Sequence, residues 1–165
     1  MPSPSLRPSA VVLAFALDQC LTVVAGTLVL FAWVVARLVL GGLAFDAALD
    51  EATGAPPVGL QVGFFGAGTL ATVAGGALAA ALGRTAPLLN AGAAGALVLA
   101  FGVVSGWIAE AEGVASQVPL VLSLLAVLVT VPAALLGGWL ASRPAPHGVL
   151  PPEGALRLPP VGFQR

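Results

Sequence analysis

Apolar side chains run along this chain in four long blocks, separated by short stretches where charge, proline and glycine gather. The blocks cover about residues 9–42, 60–83, 87–108 and 118–142. Each meets the roughly 20 apolar residues that a helix needs to cross a bilayer core. No block alternates strictly between apolar and polar positions, so a membrane β-barrel is not indicated. A helix satisfies its backbone hydrogen bonds internally, as a lipid surrounding demands. The pattern predicts an all-α membrane protein in which four transmembrane helices form an up-down bundle. Residues 1–8 would be a cytoplasmic N-terminus, 43–58 an outer loop, and 143–165 a proline-rich cytoplasmic tail that is disordered or extended.

Composition strengthens this reading. Of 165 residues, 59% are hydrophobic and 8% charged, and 21 are glycine. Soluble domains carry about 25% charged residues. Six basic and seven acidic residues cannot cover the surface of a soluble domain of this size. The net charge of −1 excludes a nucleic-acid partner, which requires clustered Lys or Arg. The partners expected are the lipid bilayer and, through small-residue ridges, a second copy or another membrane protein.

The charges select an orientation. With four crossings, Arg7, Arg84, Arg143, Arg157 and Arg165 fall on one side, and Asp46, Asp50, Glu51, Glu110 and Glu112 on the other. Arg37 alone lies near the acidic side. Basic residues beside short loops stay in the cytoplasm. The expectation is therefore a plasma (inner) membrane protein with both termini inside. Trp33, Trp107 and Trp139 all fall near a predicted interface, where amphipathic rings settle.

An internal duplication would account for two gapless alignments. Residues 27–36 (TLVLFAWVVA) match 96–105 (ALVLAFGVVS) at five positions, and 70–80 (LATVAGGALAA) match 132–142 (PAALLGGWLAS) at five. The fold would then be two repeated helical hairpins. Coincidence within an Ala, Gly, Leu and Val-rich chain is the competing explanation.

Inside lipid, close approach of small residues drives helix association. Gly68, Thr72 and Gly76 recur at spacing four in the second block, with Ala71, Gly75, Ala79 and Gly83 beside them. Thr130, Ala134 and Gly138 do so in the fourth, and Gly102 and Gly106 lie in the third. These rows are candidate helix-packing positions.

Chemistry-bearing residues are few. Asp18 is the sole acid inside a span, and Gln19 and Asn90 are the polar side chains placed to join it in a candidate intramembrane site. Two depths are open for Asp18: at the inner interface, or about a third of the way in with a partner such as Gln19, Asn90 or Thr130. Cys20 is the only cysteine and His147 the only histidine, so a single chain offers no intrachain disulfide, thiolate cluster or paired haem ligands. Asp46, Asp50 and Glu51 read as a solvated face. No catalytic triad, phosphate loop or dinucleotide fingerprint occurs. No enzyme activity, metal or cofactor is expected.

Asp18 in the first helix, Gly75 and Gly76 in the second, and the run RTAPLL at 84–89 resemble features of small uncharacterised bacterial four-helix integral membrane proteins of unknown function. The resemblance covers about residues 10–106, and Asn90 stands where a histidine would be expected in such proteins. It implies a fold and a membrane location. Two functions are open: a non-enzymatic structural or accessory membrane component, or a small transporter or channel subunit using Asp18 as an intramembrane proton or cation site.

Overall fold

A computed structural model describes residues 5–113 and 118–143. They form five helices: α1 (Pro8–Gly41), α2 (Phe45–Gly54), α3 (Val58–Leu82), α4 (Pro87–Ala111) and α5 (Leu120–Ser142). Four of these, α1, α3, α4 and α5, are long and apolar enough to cross a membrane. Residues 144–165, which include the proline-rich tail, lie outside the described residues.

Prolines and glycines set the helix ends. Pro8 and Pro87 occupy the first turns of α1 and α4, where the missing N–H costs nothing. Gly42 closes α1 with φ 64°, a left-handed conformation that suits glycine. α5 continues as one helix through Pro132.

The expected outer loop is corrected by α2. Its ten residues place Ala48 and Ala52, one turn apart, on a buried face. That face packs with Val34 and Leu60. The Arg37 Nε donates to Glu51 Oε2 at 2.9 Å, which ties α2 back to α1. This pair also explains the one arginine on the acidic side. Both side chains are partly solvated, so such a pair contributes about 0–1 kcal/mol.

The helices pack inside out relative to a soluble domain. Buried apolar residues are nearly all alanine, while Leu40 is 85% and Leu70 71% exposed. Those exposed side chains face what lipid would cover. The interior is made of backbones held close by small residues, which is the packing expected where apolar area supplies no drive.

α3 is central and packs against α1, α4 and α5. Its crossing with α5 is the tightest place in the molecule. A methyl group on Gly76 would run into the Ala134 backbone, and one on Gly137 into the Val73 carbonyl. On α4, a methyl group on Gly95 would lie 2.7 Å from Cβ of Ala134. Gly138 sits against Ala91. Gly76, Ala134 and Gly138 therefore do the packing expected of them. Gly68, Gly102 and Gly106 do not: nothing lies within 4 Å of where their Cβ would be.

The two aligned hairpin stretches meet different neighbours. Gly75 faces α1, with its Cβ position 3.1 Å from the Ala14 carbonyl oxygen, whereas its aligned counterpart Gly137 faces α3.

Candidate functional site

The helices close together at the end that carries Arg7, Arg84 and Arg143, and α3, α4 and α5 leave a cavity toward the end that carries Glu51 and Glu110. Ala14, Gly75, Gly76, Ala94, Gly95 and Ala134 bring all four long helices together at the closed end. Immediately above them a cavity of about 300 Å³ is lined by α1, α3, α4 and α5. It shares Phe64, Phe65, Val98, Gly102, Ala126 and Thr130 with a larger one of about 680 Å³. The larger cavity continues to Pro56, Trp107 and Val118 at the acidic end. Gly68, Gly102 and Gly106 line this continuous space rather than a helix contact. Their missing side chains help to keep it open.

Asp18 forms the floor. It is 2% exposed and lines both the small cavity and the closed knot beneath it. The Gln19 amide Nε2 donates to Asp18 Oδ2 at 2.8 Å. Asp18 Oδ1 is buried with no hydrogen-bond partner among the described residues. Thr72 also lines both spaces, and its hydroxyl donates to the Gly68 carbonyl at 3.1 Å. Thr69 and Thr130 likewise donate to carbonyls four residues earlier, at 2.9 and 2.6 Å. A hydroxyl proton can rotate between acceptors, and that of Thr72 also stands near the Asp18 carboxylate. Gln61, higher on α3, donates its Nε2 to the Pro56 carbonyl at 2.6 Å and leaves Oε1 buried and unpaired. The unpaired buried polar atoms along the cavity wall are thus both acceptors.

Of the two placements open to Asp18, the packing of the first turns of α1 fits the one about a third of the way in. Val11 and Ala14, which precede it, are buried against Ala79 and Ala94. The start of α1 is therefore part of the bundle, not a helix lying in the interface. Asp18 is ten residues beyond Pro8, about 15 Å along the helix.

Asn90 is not part of this site. It is fully buried at the start of α4, where its Oδ1 accepts from the Arg7 backbone N–H at 2.8 Å. Its Nδ2 donates to the Ala86 carbonyl at 2.8 Å and to that of Gly83 at 3.4 Å. The Arg7 side chain donates to the Leu82 carbonyl at 3.3 Å. One amide side chain thereby fastens the start of α1 to the α3–α4 turn and satisfies backbone groups that a helix terminus leaves without partners. Of the three proposed site residues, Asp18 and Gln19 are together and Asn90 serves the scaffold. Thr130, expected as a packing position or a partner for Asp18, lines the cavity, and Thr72, expected as a packing position, lines both the cavity and the closed junction beneath it.

At the arginine end the Arg143 guanidinium stacks over Trp139, 3.5 Å from the ring centroid. Among the described residues, no group of three His, Cys, Asp or Glu side chains could hold a metal ion. No family model, curated protein or solved structure matches the chain.

Proposed function

We propose that the chain is a non-enzymatic, multi-pass protein of a bacterial plasma (inner) membrane that handles a cation at Asp18, as a small carrier or channel subunit. The arginine-bearing end belongs in the cytoplasm, following the positive-inside rule. In that orientation the cavity faces outward. The observation that carries the reading is the Asp18 carboxylate, buried at the base of a cavity with one oxygen unpartnered. A carboxylate that served packing alone would have both oxygens satisfied, since an unmet buried acceptor costs about 1–3 kcal/mol or more. Ionisable groups inside a membrane mark ion and substrate paths.

This favours the transport reading over the purely structural one. Asp46, Asp50 and Glu51 lie on or next to the exposed side of α2, away from the floor.

Orientation is checked by proteolysis of the segment after Arg143, which should be cut in inverted membrane vesicles and protected in intact spheroplasts. Function is checked in proteoliposomes under imposed gradients of protons, sodium, potassium or organic monocations. At least one of these should move across the membrane with wild-type protein and fall to the protein-free rate with Asp18→Asn. Asp46→Asn should leave it unchanged. Equal movement with Asp18→Asn, or none with any cation, overturns the proposal.

A further inference from the structure

We infer that the ligand of this cavity is an organic monocation with an apolar, ring-sized body, its charge seated at Asp18. The inference rests on the cation-handling role above and adds the substrate class. Four observations converge on it.

The first is size. Cavities of about 300 and 680 Å³ that share six lining residues are far larger than a proton path requires. They fall in the range of about 300–1,000 Å³ typical of small-molecule sites.

The second is the lining. Apart from Asp18, Gln19, Gln61, Ser123 and a few threonines, the walls are Phe, Val, Leu, Ala, Gly, Pro56 and one Trp. A hard inorganic cation exchanges its water shell only for a set of oxygens, about six to eight for calcium. One carboxylate oxygen and scattered hydroxyls do not supply that set. A large organic cation holds its water weakly and gains from carbon walls. Phe64, Phe65 and Phe101 line the space, and aromatic rings attract a cation that reaches their faces. Phe101 is itself fixed edge-to-face against Phe15, with 5.4 Å between centroids.

The third is polarity. Asp18 Oδ1 and Gln61 Oε1, the unpaired buried atoms along the wall, are both acceptors. Acceptors are offered at the floor and again part-way up, while among the described residues no Lys, Arg or His lines either cavity to hold an anion.

The fourth is where the space ends. Below Asp18 the backbones of α3 and α5 meet without a gap for a side chain. The charged group of a ligand entering from the acidic end would therefore stop at the carboxylate, with its apolar body held between α3, α4 and α5.

Tetraphenylphosphonium is a suitable probe, with triphenylphosphine oxide as its neutral counterpart. Isothermal titration calorimetry on detergent-purified protein should show saturable binding of the phosphonium by the wild type. Binding should be at least tenfold weaker with Asp18→Asn, and at least tenfold weaker for the neutral oxide on the wild type. Phe65→Ala, which removes one ring from the wall and leaves Asp18 in place, should weaken phosphonium binding severalfold. If the oxide binds as well as the phosphonium, the cavity is an apolar slot of the kind an acyl chain fills, and the inference is overturned. It is also overturned if the wild type binds no phosphonium. In either case, Asp18-dependent flux of protons or inorganic cations in proteoliposomes would leave the broader proposal standing. Loss of both would remove both.

Discussion

A single methyl group at Gly137 or Gly76 is expected to unseat the bundle. At each position the added carbon would land on backbone of the facing helix, the Val73 carbonyl in one case and Ala134 in the other. Backbone cannot rotate away as a flexible side chain can, so α3 and α5 must separate. Separation would in turn loosen the Gly95 contact with Ala134 and the Gly138 contact with Ala91. Overpacking a close-fitted interior costs about 1–3 kcal/mol and occasionally more. Two linked helix crossings place Gly137→Ala and Gly76→Ala at or above the upper part of that range. Gly66→Ala is the control, because nothing lies within 4 Å of its Cβ position. There the change should be neutral or stabilising by about 0.5–1 kcal/mol, as expected for replacing glycine inside a helix. Thermal unfolding of the purified proteins in detergent, followed by size-exclusion chromatography, separates the cases. If all three variants unfold together with the wild type, the α3–α5 crossing is not a close backbone contact.

That contrast shows how far the sequence carries. The four long helices are legible because their apolar blocks far exceed what a buried soluble helix needs, and prolines and glycines mark their ends. α2 is hidden by its length. Ten residues with three acids look like solvated loop, although Phe45, Ala48 and Ala52 already follow a helical spacing. The glycines are legible only as a class. Spacing four puts Gly68, Thr72 and Gly76 on one line, yet Gly76 ends in a backbone crossing while Gly68 and Thr72 line a cavity. In a chain with 21 glycines, small-residue spacing cannot say which rows meet a neighbour and which leave a void. The most crowded glycine, Gly137, lies in the row Ala133, Gly137 and Ala141, beside the row of Thr130, Ala134 and Gly138 expected to pack.

The candidate site divides in the same way. Asp18 is conspicuous as an acid in an apolar span, and Gln19 follows it in the chain. Asn90 sits on the same side of the membrane by sequence position, so a partnership with Asp18 is a reasonable expectation. Its true partner is a backbone N–H, at Arg7, and no side-chain pattern announces a backbone donor. Gln61 and Thr69 become informative only once the direction each helix faces is known. Depth along a helix can be counted from the sequence, but rotation about its axis depends on the neighbours.

Removing the carboxylate is expected to stabilise the protein while ending its function. In the folded state Asp18 is withdrawn among four helices, one oxygen held by Gln19 and the other unpaired. In the unfolded chain the same carboxylate reaches water at the detergent or headgroup surface. Folding therefore takes a charged or protonated acid out of water with incomplete compensation. A carboxylate near mid-membrane costs roughly 2.5–3.5 kcal/mol on the insertion scale. The Gln19 hydrogen bond offsets about 0.5–1.5 kcal/mol of that. Asp18→Leu should thus raise stability by about 1–3 kcal/mol, within the error of combining those two figures. Asp18→Asn, which stays polar, should give a smaller gain. A residue retained for packing behaves in the opposite way, since its loss leaves partners unsatisfied. Thermal unfolding of both variants beside the wild type, in the same detergent and without added cation, decides between the two. If both variants unfold several degrees below the wild type, Asp18 is an anchor of the bundle and its link to cations loses its support. If both gain stability while phosphonium binding is lost, the free carboxylate oxygen is kept at a cost to stability because a ligand uses it.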